Sequence, residues 1–267
     1  MSKKVLLSLA LITALALVAG SAFAQSPAIR SIGRGVSTHS DGVGAAPAYC
    51  HPCLFYGGDW NSASTDWVLF ATGNVPAFGG PIDFFSSFAV PANKTWTVTG
   101  LFANVGFINV SKLDPTKTLW SINRGMKAGN KGTVVSHGMA NAAIKTTGRT
   151  ADSGAGPVVE YTVRVGNLHV PALKHALYFE EVQPNCSNTS DQACASALFY
   201  ESDTFDDTET KQGANHFGPP QPKGQNFQNA PAFGYNYLQI NEAYCTSVNF
   251  PAIACDWISA GVIGTAQ

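Results

Sequence analysis

The sequence predicts an all-β fold, namely a single antiparallel β-sandwich or jelly-roll-like domain with long loops that are stapled by disulfides. Three observations lead to this prediction. Apolar residues alternate with polar ones over several short segments, which is the period of a half-buried strand. Glycine and proline are abundant, at 26 and 15 of 267 residues, and they cluster between these segments. An apolar pattern with helical period is found almost nowhere.

The clearest strand pattern spans residues 158–165, where apolar residues alternate with charged and polar ones. One face of this strand is therefore expected to be buried and the other exposed to solvent. Gly166 and Asn167 follow, and they predict a tight hairpin turn. A second pattern spans residues 95–110, and its apolar parity shifts at Gly100. This shift predicts a β-bulge, because an extra residue re-aims the side chains of a strand.

Trp96 and Trp120 fall within strand patterns and are predicted to be core residues. The segment 139–145 could form one short helix, and residues 202–231 are predicted to form a long loop because they are rich in glycine, proline and polar side chains. Further strands are predicted at 67–70, 84–90, 119–123, 133–136, 177–181, 197–201, 233–240 and 257–263.

Residues 1–24 are predicted to be a signal peptide. A basic start at Lys3 and Lys4 precedes an apolar run, and a small-x-small cleavage pattern ends at Ala24. The run is too short to span a bilayer comfortably, and no later segment is long and apolar enough to do so. We therefore expect an exported protein that is extracellular, periplasmic or located at the cell surface. It should have no transmembrane segment after signal cleavage.

After cleavage, residues 25–49 are predicted to be a flexible N-terminal lead-in and residues 50–267 a single β-sandwich domain. The charge is nearly balanced, with 16 lysines and arginines against 17 acidic residues and a pI near 6.6. A balanced charge gives no excess of basic side chains to bind the phosphate backbone of a nucleic acid, so no nucleic-acid partner is expected.

The six cysteines are an even number, and export would place them in an oxidising compartment where disulfides form. Their grouping along the sequence makes three local bridges the leading hypothesis, although other pairings remain open. Each local bridge would close a small loop and stabilise it modestly. The cysteines are Cys50, Cys53, Cys186, Cys194, Cys245 and Cys255.

Two polar and aromatic clusters are candidates for a ligand-binding surface. The first comprises Asp59, Trp60 and Asn61, and the second is centred on Tyr235 and Tyr237. Sugars stack on aromatic rings, while Asn, Asp and Gln side chains bind their hydroxyl groups. These clusters therefore predict a carbohydrate-binding surface whose partner would be an extracellular polysaccharide. Plain core packing of the rings is the alternative interpretation.

Asp203, Asp206 and Asp207 are candidate oxygen ligands for a structural Ca²⁺ ion. A solvated loop is the alternative, because Phe205 interrupts the run and the spacing matches no known calcium loop. The sequence predicts no other cofactor. It also predicts no catalytic residue, since it lacks both the histidine pair of zincins and the G-x-S-x-G motif of serine hydrolases.

The segment 88–98, with the sequence FAVPANKTWTV, resembles the opening of a group of exported bacterial β-sandwich proteins. Some members of that group carry interchangeable C-terminal surface-sorting signals. The segments 215–220, 233–235 and 254–264 resemble the ends of those proteins, so the likeness covers the final two-thirds of the chain. Its motifs are structural, and the resemblance implies a fold but no particular activity.

The leading functional prediction is a secreted, non-catalytic β-sandwich protein with a structural or binding role in the cell envelope or extracellular space, including self-association. Two alternatives remain open: a lectin-like carbohydrate-binding module, and a secreted hydrolase with no recognisable motif. A binding module should expose aromatic side chains, and a hydrolase should show a concave pocket with paired carboxyl groups or an activated nucleophile. A structural component should instead expose a strand edge or an apolar patch.

We expect the exported protein to begin at Gln25 and to contain no free thiol. N-terminal sequencing checks the cleavage site, and alkylation with and without reductant, followed by mass spectrometry, checks the cysteines. All six cysteines should be alkylated only after reduction. Alkylation of Cys50 and Cys53 in the unreduced protein would contradict the predicted disulfide framework.

Overall fold

The structure, a computed structural model, describes residues 29–31, 53–58, 68–75, 80–107, 114–151, 156–185, 199–202, 217–219, 225–241 and 258–267. Strands dominate these ranges, and their helical residues are confined to two short 3-10 turns, Pro115–Lys117 and Pro231–Phe233. None of the helices within these ranges has the length and apolarity to cross a membrane. The prediction of an all-β, sandwich-like fold is confirmed, while the jelly-roll connectivity stays a prediction.

The strands of the described residues are numbered in chain order. They are β1 Ile29–Ser31, β2 Cys53–Tyr56, β3 Val68–Val75, β4 Gly80–Phe88, β5 Thr95–Phe107, β6 Thr118–Arg124, β7 Thr133–Ala140, β8 Ala142–Ala151, β9 Gly156–Pro171, β10 Tyr178–Gln183, β11 Phe199–Ser202, β12 Asn226–Ala230, β13 Tyr235–Ile240 and β14 Ala260–Ala266. All of their pairings are antiparallel.

The long strand β5 is the centre of the first sheet. β9 pairs along nearly all of β5 on one side, and β8 pairs in turn with β9. On the other side of β5, β14 pairs with the first part of the strand and β11 with its end. β2 then extends the sheet beyond β14, while β3 and β1 extend it beyond β11.

The second sheet runs in the order β7, β6, β10, β4, and β12 and β13 extend it from β4. β3 belongs to both sheets, because residues 68–72 pair with β1 and β11 while residues 73–75 pair with β4. The change occurs at Gly73, whose φ is 122°. L side chains rarely adopt this angle, so glycine is what allows the strand to pass from one sheet to the other.

The main hydrophobic core lies between the sheets and contains buried residues from both of them. Phe88 of β4 is fully buried and stacks on Trp96 of β5, with ring centroids 5.9 Å apart. It also stacks on Tyr178 of β10, at 5.5 Å. This three-ring stack joins the first sheet to the second. The predicted core positions of Trp96 and Trp120 are confirmed, since these side chains are 2% and 8% exposed.

The predicted bulge at Gly100 is confirmed. The register shifts between Val98 and Gly100 opposite β9, and a matching shift occurs opposite β14. The hairpin predicted at Gly166 and Asn167 is wrong, because β9 continues through both residues to Pro171 and pairs with β5 on either side of a bulge at 165–167. Gly166 adopts a φ of 85°, so it bends the strand locally without ending it.

The short helix predicted for residues 139–145 is also wrong, because these residues are divided between β7 and β8. Pairing with β6 and β9 gives them hydrogen bonds that are more stable than those of a short isolated helix. The loop predicted for 202–231 contains β12, whose Phe227 is buried. In both cases long-range pairing overrides the local pattern.

Replacing Phe88 with alanine should destabilise the protein by about 3–5 kcal/mol, because it removes a fully buried ring and leaves a cavity between the sheets. Urea unfolding should show a lower midpoint with an unchanged m value. Met139→Ala is the control, since Met139 is 62% exposed and should change stability by less than about 0.5 kcal/mol. Equal effects of the two substitutions would contradict the role of the stack.

Candidate functional site

A cavity of about 340 Å³ lies on the face of the second sheet that points away from the main core. It is called the outer-face cavity here and is lined by residues of β4, β6, β7, β10 and β13. Strand alternation decides which residues line it. Phe84 and Phe88 pack in the main core, so Asp83 and Phe85 of the same strand point outward.

The neighbouring strand β10 follows the same alternation. Tyr178 and Val182 pack in the main core, so Glu181 and Gln183 point to the outer face. Ser121 of β6 is the register partner of Glu181 and lines the same cavity. Three adjacent strands thus bring polar side chains from distant parts of the chain to one place.

Asp83 and Glu181 form a hydrogen-bonded carboxyl pair in the outer-face cavity. Gln183 donates from Nε2 to Asp83 Oδ1 at 2.6 Å, and Asn229 donates from Nδ2 to Asp83 Oδ2 at 2.9 Å. Ser121 donates from Oγ to Glu181 Oε2 at 2.7 Å. Two carboxyl groups in hydrogen-bond contact cannot both be ionised at low cost, so they share one proton.

The environment determines which carboxyl group holds the proton. Burial raises the pKa of Glu181 well above its ordinary value of 4.5, and the charge of Asp83 raises it further. Burial also raises the pKa of Asp83, but hydrogen bonds from Asn229, Glu181 and Gln183 oppose this rise. Glu181 is therefore the protonated member and donates its hydrogen bond to the ionised Asp83.

Tyr237 borders the carboxyl pair in an unfavourable backbone conformation. Its φ is 46°, and a non-glycine residue in this left-handed region costs about 1–3 kcal/mol. Its ring packs on Phe85 with centroids 6.0 Å apart, and the backbone N–H of Gly129 donates to its carbonyl oxygen at 3.2 Å. Burial, followed by the charge of Asp83, raises the pKa of Tyr237. Backbone strain beside perturbed carboxyl groups is typical of functional sites.

The remaining lining of the outer-face cavity is aromatic and basic. Trp120 lies against Gly138 of β7, where an added Cβ would come within 3.1 Å of the indole Cζ2 atom. Glycine is therefore the residue that allows this ring to lie close to β7. His137 and Lys131 also line the cavity. The cavity thus combines the carboxyl groups of Asp83 and Glu181 with aromatic side chains.

A second, larger cavity of about 830 Å³ lies along the first sheet. Its charged lining includes Glu160 and Lys145, which are register partners on β9 and β8. Burial raises the pKa of Glu160 to about 7, although the charge of Lys145 lowers it. The described residues that line this cavity include no aromatic side chain, so it offers no ring on which a sugar could stack.

The structure divides the ligand-binding residues that the sequence predicts. Tyr237 lines the outer-face cavity, whereas Tyr235 packs against the main core. Asp59, Trp60 and Asn61 lie outside the described residues. Only one of the five candidates is therefore placed in the cavity.

The predicted calcium ligands Asp203, Asp206 and Asp207 also lie outside the described residues. Within the described ranges, no group of three or more His, Cys, Asp or Glu side chains could hold a metal ion. Cys53 is the one cysteine in these ranges, and it is not a free thiol. The pairing of the six cysteines stays a prediction.

Asp83, Glu181 and Gln183 of the cavity, and Asn229 beside Asp83, were not predicted from the sequence. One local signal was available for Asp83, because a lone acid in the otherwise apolar run IDFF is unusual for a strand. Nothing local links that acid to Glu181, since their contact depends on how β4 and β10 are placed in the sheet.

Comparisons with known proteins found no relative of the chain. No protein-family model matches it, and no similar chain was found among curated proteins or solved structures. The resemblance to exported bacterial β-sandwich proteins stays a prediction. The functional proposal therefore depends on the geometry of the site.

The stability of the protein should fall as the pH rises above 4.5, because folded Glu181 keeps a proton that the unfolded side chain releases. The contribution of Glu160 to the pH dependence of stability has the same sign. It should be lost between pH 4.5 and about 7. Thermal unfolding at a series of pH values should show a flatter pH dependence for Glu181→Gln and for Glu160→Gln. A Glu181→Gln profile identical to that of the wild type would contradict a shared proton.

Proposed function

We propose that this protein is an exported, non-catalytic β-sandwich that binds carbohydrate in the outer-face cavity. The observation that carries the proposal is that Asp83 and Gln183 line the cavity together with the ring of Tyr237, while Asn229 holds Asp83 from beside the cavity. Asp83, Gln183 and Asn229 are joined by hydrogen bonds of 2.6 and 2.9 Å, and Tyr237 lines the same cavity. Export is supported by the signal-peptide pattern of residues 1–24.

The chemistry of these groups suits a ligand rich in hydroxyl groups. The two carboxylate oxygens of Asp83 have four lone pairs, and Gln183, Asn229 and Glu181 occupy three of them, so one can accept from a sugar hydroxyl. The Nε2 group of Gln183 donates to Asp83 and to the carbonyl oxygen of Ile82, so its amide oxygen is the group left for a ligand. The ring of Tyr237 offers an apolar face to the C–H groups of a sugar, and its hydroxyl offers a polar edge.

The size of the outer-face cavity agrees with a small saccharide unit. Its volume of about 340 Å³ lies near the lower end of the range of about 300–1,000 Å³ that ligand sites occupy. A short segment of a polysaccharide is therefore a more suitable occupant than a large folded partner. The backbone strain at Tyr237 further supports a binding role, because such strain persists where it positions a side chain.

A hydrolase is the second candidate, and the proton shared by Asp83 and Glu181 is the observation that favours it. Some hydrolytic sites use paired carboxyl groups of this kind. The two groups are in hydrogen-bond contact, however, whereas glycoside hydrolysis needs separations of about 5–9.5 Å. The pair is therefore too close for that chemistry, and non-catalytic binding fits the geometry better.

A structural role through self-association has weaker support. Leu119 and Met139 are cross-strand partners on β6 and β7, and they are 38% and 62% exposed. Isolated exposed apolar side chains are normal on monomeric proteins, and association requires larger continuous patches. The carbohydrate proposal therefore ranks first.

Isothermal titration of the purified chain against a panel of soluble polysaccharides should reveal saturable binding. Tyr237→Ala and Asn229→Ala, which removes a hydrogen bond that holds Asp83, should each weaken it by about tenfold, which corresponds to about 1.4 kcal/mol. Each loss reflects one hydrogen-bonding group or one stacking ring. The same mixtures of protein and polysaccharide are assayed for new reducing ends. The appearance of new reducing ends would favour the hydrolase function.

Tyr237→Phe and Tyr235→Phe form a matched control pair, because both remove one hydroxyl while only Tyr237 lines the cavity. The first substitution should weaken binding, and the second should leave it unchanged. An equal loss in both variants would place the ligand elsewhere. A panel without any saturable binding would contradict the proposed function.

A further inference from the structure

We propose that the larger cavity, on the first sheet, binds an acidic polysaccharide whose carboxylate groups contact Glu160, Lys145 and Arg164. This cavity of about 830 Å³ is called the first-sheet cavity here. Protonated Glu160 donates a hydrogen bond to the ligand, and the two basic residues supply positive charge. The outer-face cavity belongs to the second sheet, so this proposal does not depend on the proposed function.

Strand alternation places the charged groups of the first-sheet cavity on one face of the first sheet. Tyr161 and Val163 of β9 pack in the main core, so Glu160 and Arg164 point away from it. Lys145 of β8 is the register partner of Glu160. All three charged residues line the cavity.

Small residues leave room between these long side chains. Gly100 of β5 is the register partner of Arg164, and Ala143 of β8 is the register partner of Thr162. Both small residues line the first-sheet cavity, and neither has a side chain that could fill the space above the sheet. The volume of the cavity lies in the upper part of the range of about 300–1,000 Å³ that ligand sites occupy. It therefore suits more than one sugar unit.

Glu160 is a buried acid with an oxygen atom available to a ligand. It is 4% exposed and lines the cavity. Thr162 donates from Oγ1 to Glu160 Oε1 at 3.3 Å, which is the one hydrogen bond that this carboxyl group makes with the described residues. Its Oε2 atom can therefore contact a ligand. Burial raises the pKa of Glu160 to about 7, although the charge of Lys145 lowers it, so at about pH 6 the group is mostly protonated and can donate.

The charged side chains around Glu160 are positive. Among the described residues that line the first-sheet cavity, Lys145 and Arg164 are the cations and Glu160 is the one acid. The register partner of Glu160 on β5 is Asn104, a neutral amide. His169 lies further along β9, beyond the bulge at 165–167. While Glu160 is protonated, a carboxylate ligand therefore meets positive charge with no ionised acid in the described lining to repel it.

The spacing of the charged groups favours a chain with repeated carboxylates. Glu160 and Arg164 are four residues apart on an extended strand, which corresponds to about 13 Å, so a single carboxylate is too small to contact both. Thr99 and Asn141 also line the cavity and offer hydroxyl and amide groups to sugar hydroxyls. An acidic peptide fits less well, because sheets bind peptides mainly at a free strand edge, and β9 is paired on both sides.

Calorimetric titration with polygalacturonate at about pH 6 tests the proposal, and the fully methyl-esterified polymer is the uncharged control ligand. We expect saturable binding of the acid that is about tenfold tighter than that of the ester, because exposed ion pairs are lost with the charge. Arg164→Gln and Lys145→Gln should each weaken binding by about threefold to fivefold. Lys174→Gln is the matched control, because it removes a positive charge from an exposed residue outside the described lining. It should leave the affinity unchanged.

The pH profile of binding tests the role of Glu160. Because its protonated form is the donor, the affinity should fall about tenfold between about pH 6 and about pH 8. The uronate groups of the ligand stay ionised throughout this range. Glu160→Gln keeps an amide donor and should abolish this pH dependence, which also separates the effect of Glu160 from that of His169. Circular dichroism confirms that the variants fold.

Absence of saturable binding, equal affinity for the methyl ester, or an equal loss in Lys174→Gln would overturn the proposal. A pH dependence that persists in Glu160→Gln would also overturn it. Tighter binding of poly-glutamate that depends on Arg164 would assign the cavity to an acidic peptide instead. Binding of neutral polysaccharides in the outer-face cavity requires none of these residues, so the failure of one proposal is distinguishable from the failure of the other.

Discussion

The position of Phe88 between Trp96 and Tyr178 is the contact on which the rest of the structure depends. Two sheets that pack face to face need an inner layer of interlocking side chains. Phe88 and Tyr178 are cross-strand neighbours in the second sheet, and Trp96 meets them from the first. Tyr178 also donates its hydroxyl to the carbonyl oxygen of Pro171 at 2.8 Å. The stack thereby fixes β4 and β10 against β5 and the end of β9.

The same stack determines what lies on the other side of the second sheet. Because side chains alternate along a strand, burying Phe88 and Tyr178 inward directs Asp83 and Glu181 outward. The inner core thus aligns two carboxyl groups that are distant in the sequence. On that outer face, Phe85 belongs to a small buried cluster beside the pair, which reduces their contact with water and contributes to the raised pKa of Glu181.

Local patterns predict the parts of this fold that depend on local chemistry. The alternation in β9 and the bulge at Gly100 were predicted, because each leaves a mark in consecutive residues. The helix at 139–145 and the turn at Gly166 were wrong, since pairing with distant strands decides both segments. Tyr237 was predicted from its aromatic character. Glu181 lines the same cavity but was not predicted, because only the placement of β10 beside β4 brings it to Asp83.

The passage of β3 through both sheets has a mechanical consequence. Residues 68–72 belong to one sheet and residues 73–75 to the other, with Gly73 at the change. The two sheets cannot move apart or slide past each other unless one end of β3 loses its backbone hydrogen bonds to the neighbouring strands. A force applied at the outer face of the second sheet would therefore be transmitted to the first sheet through the covalent backbone of β3.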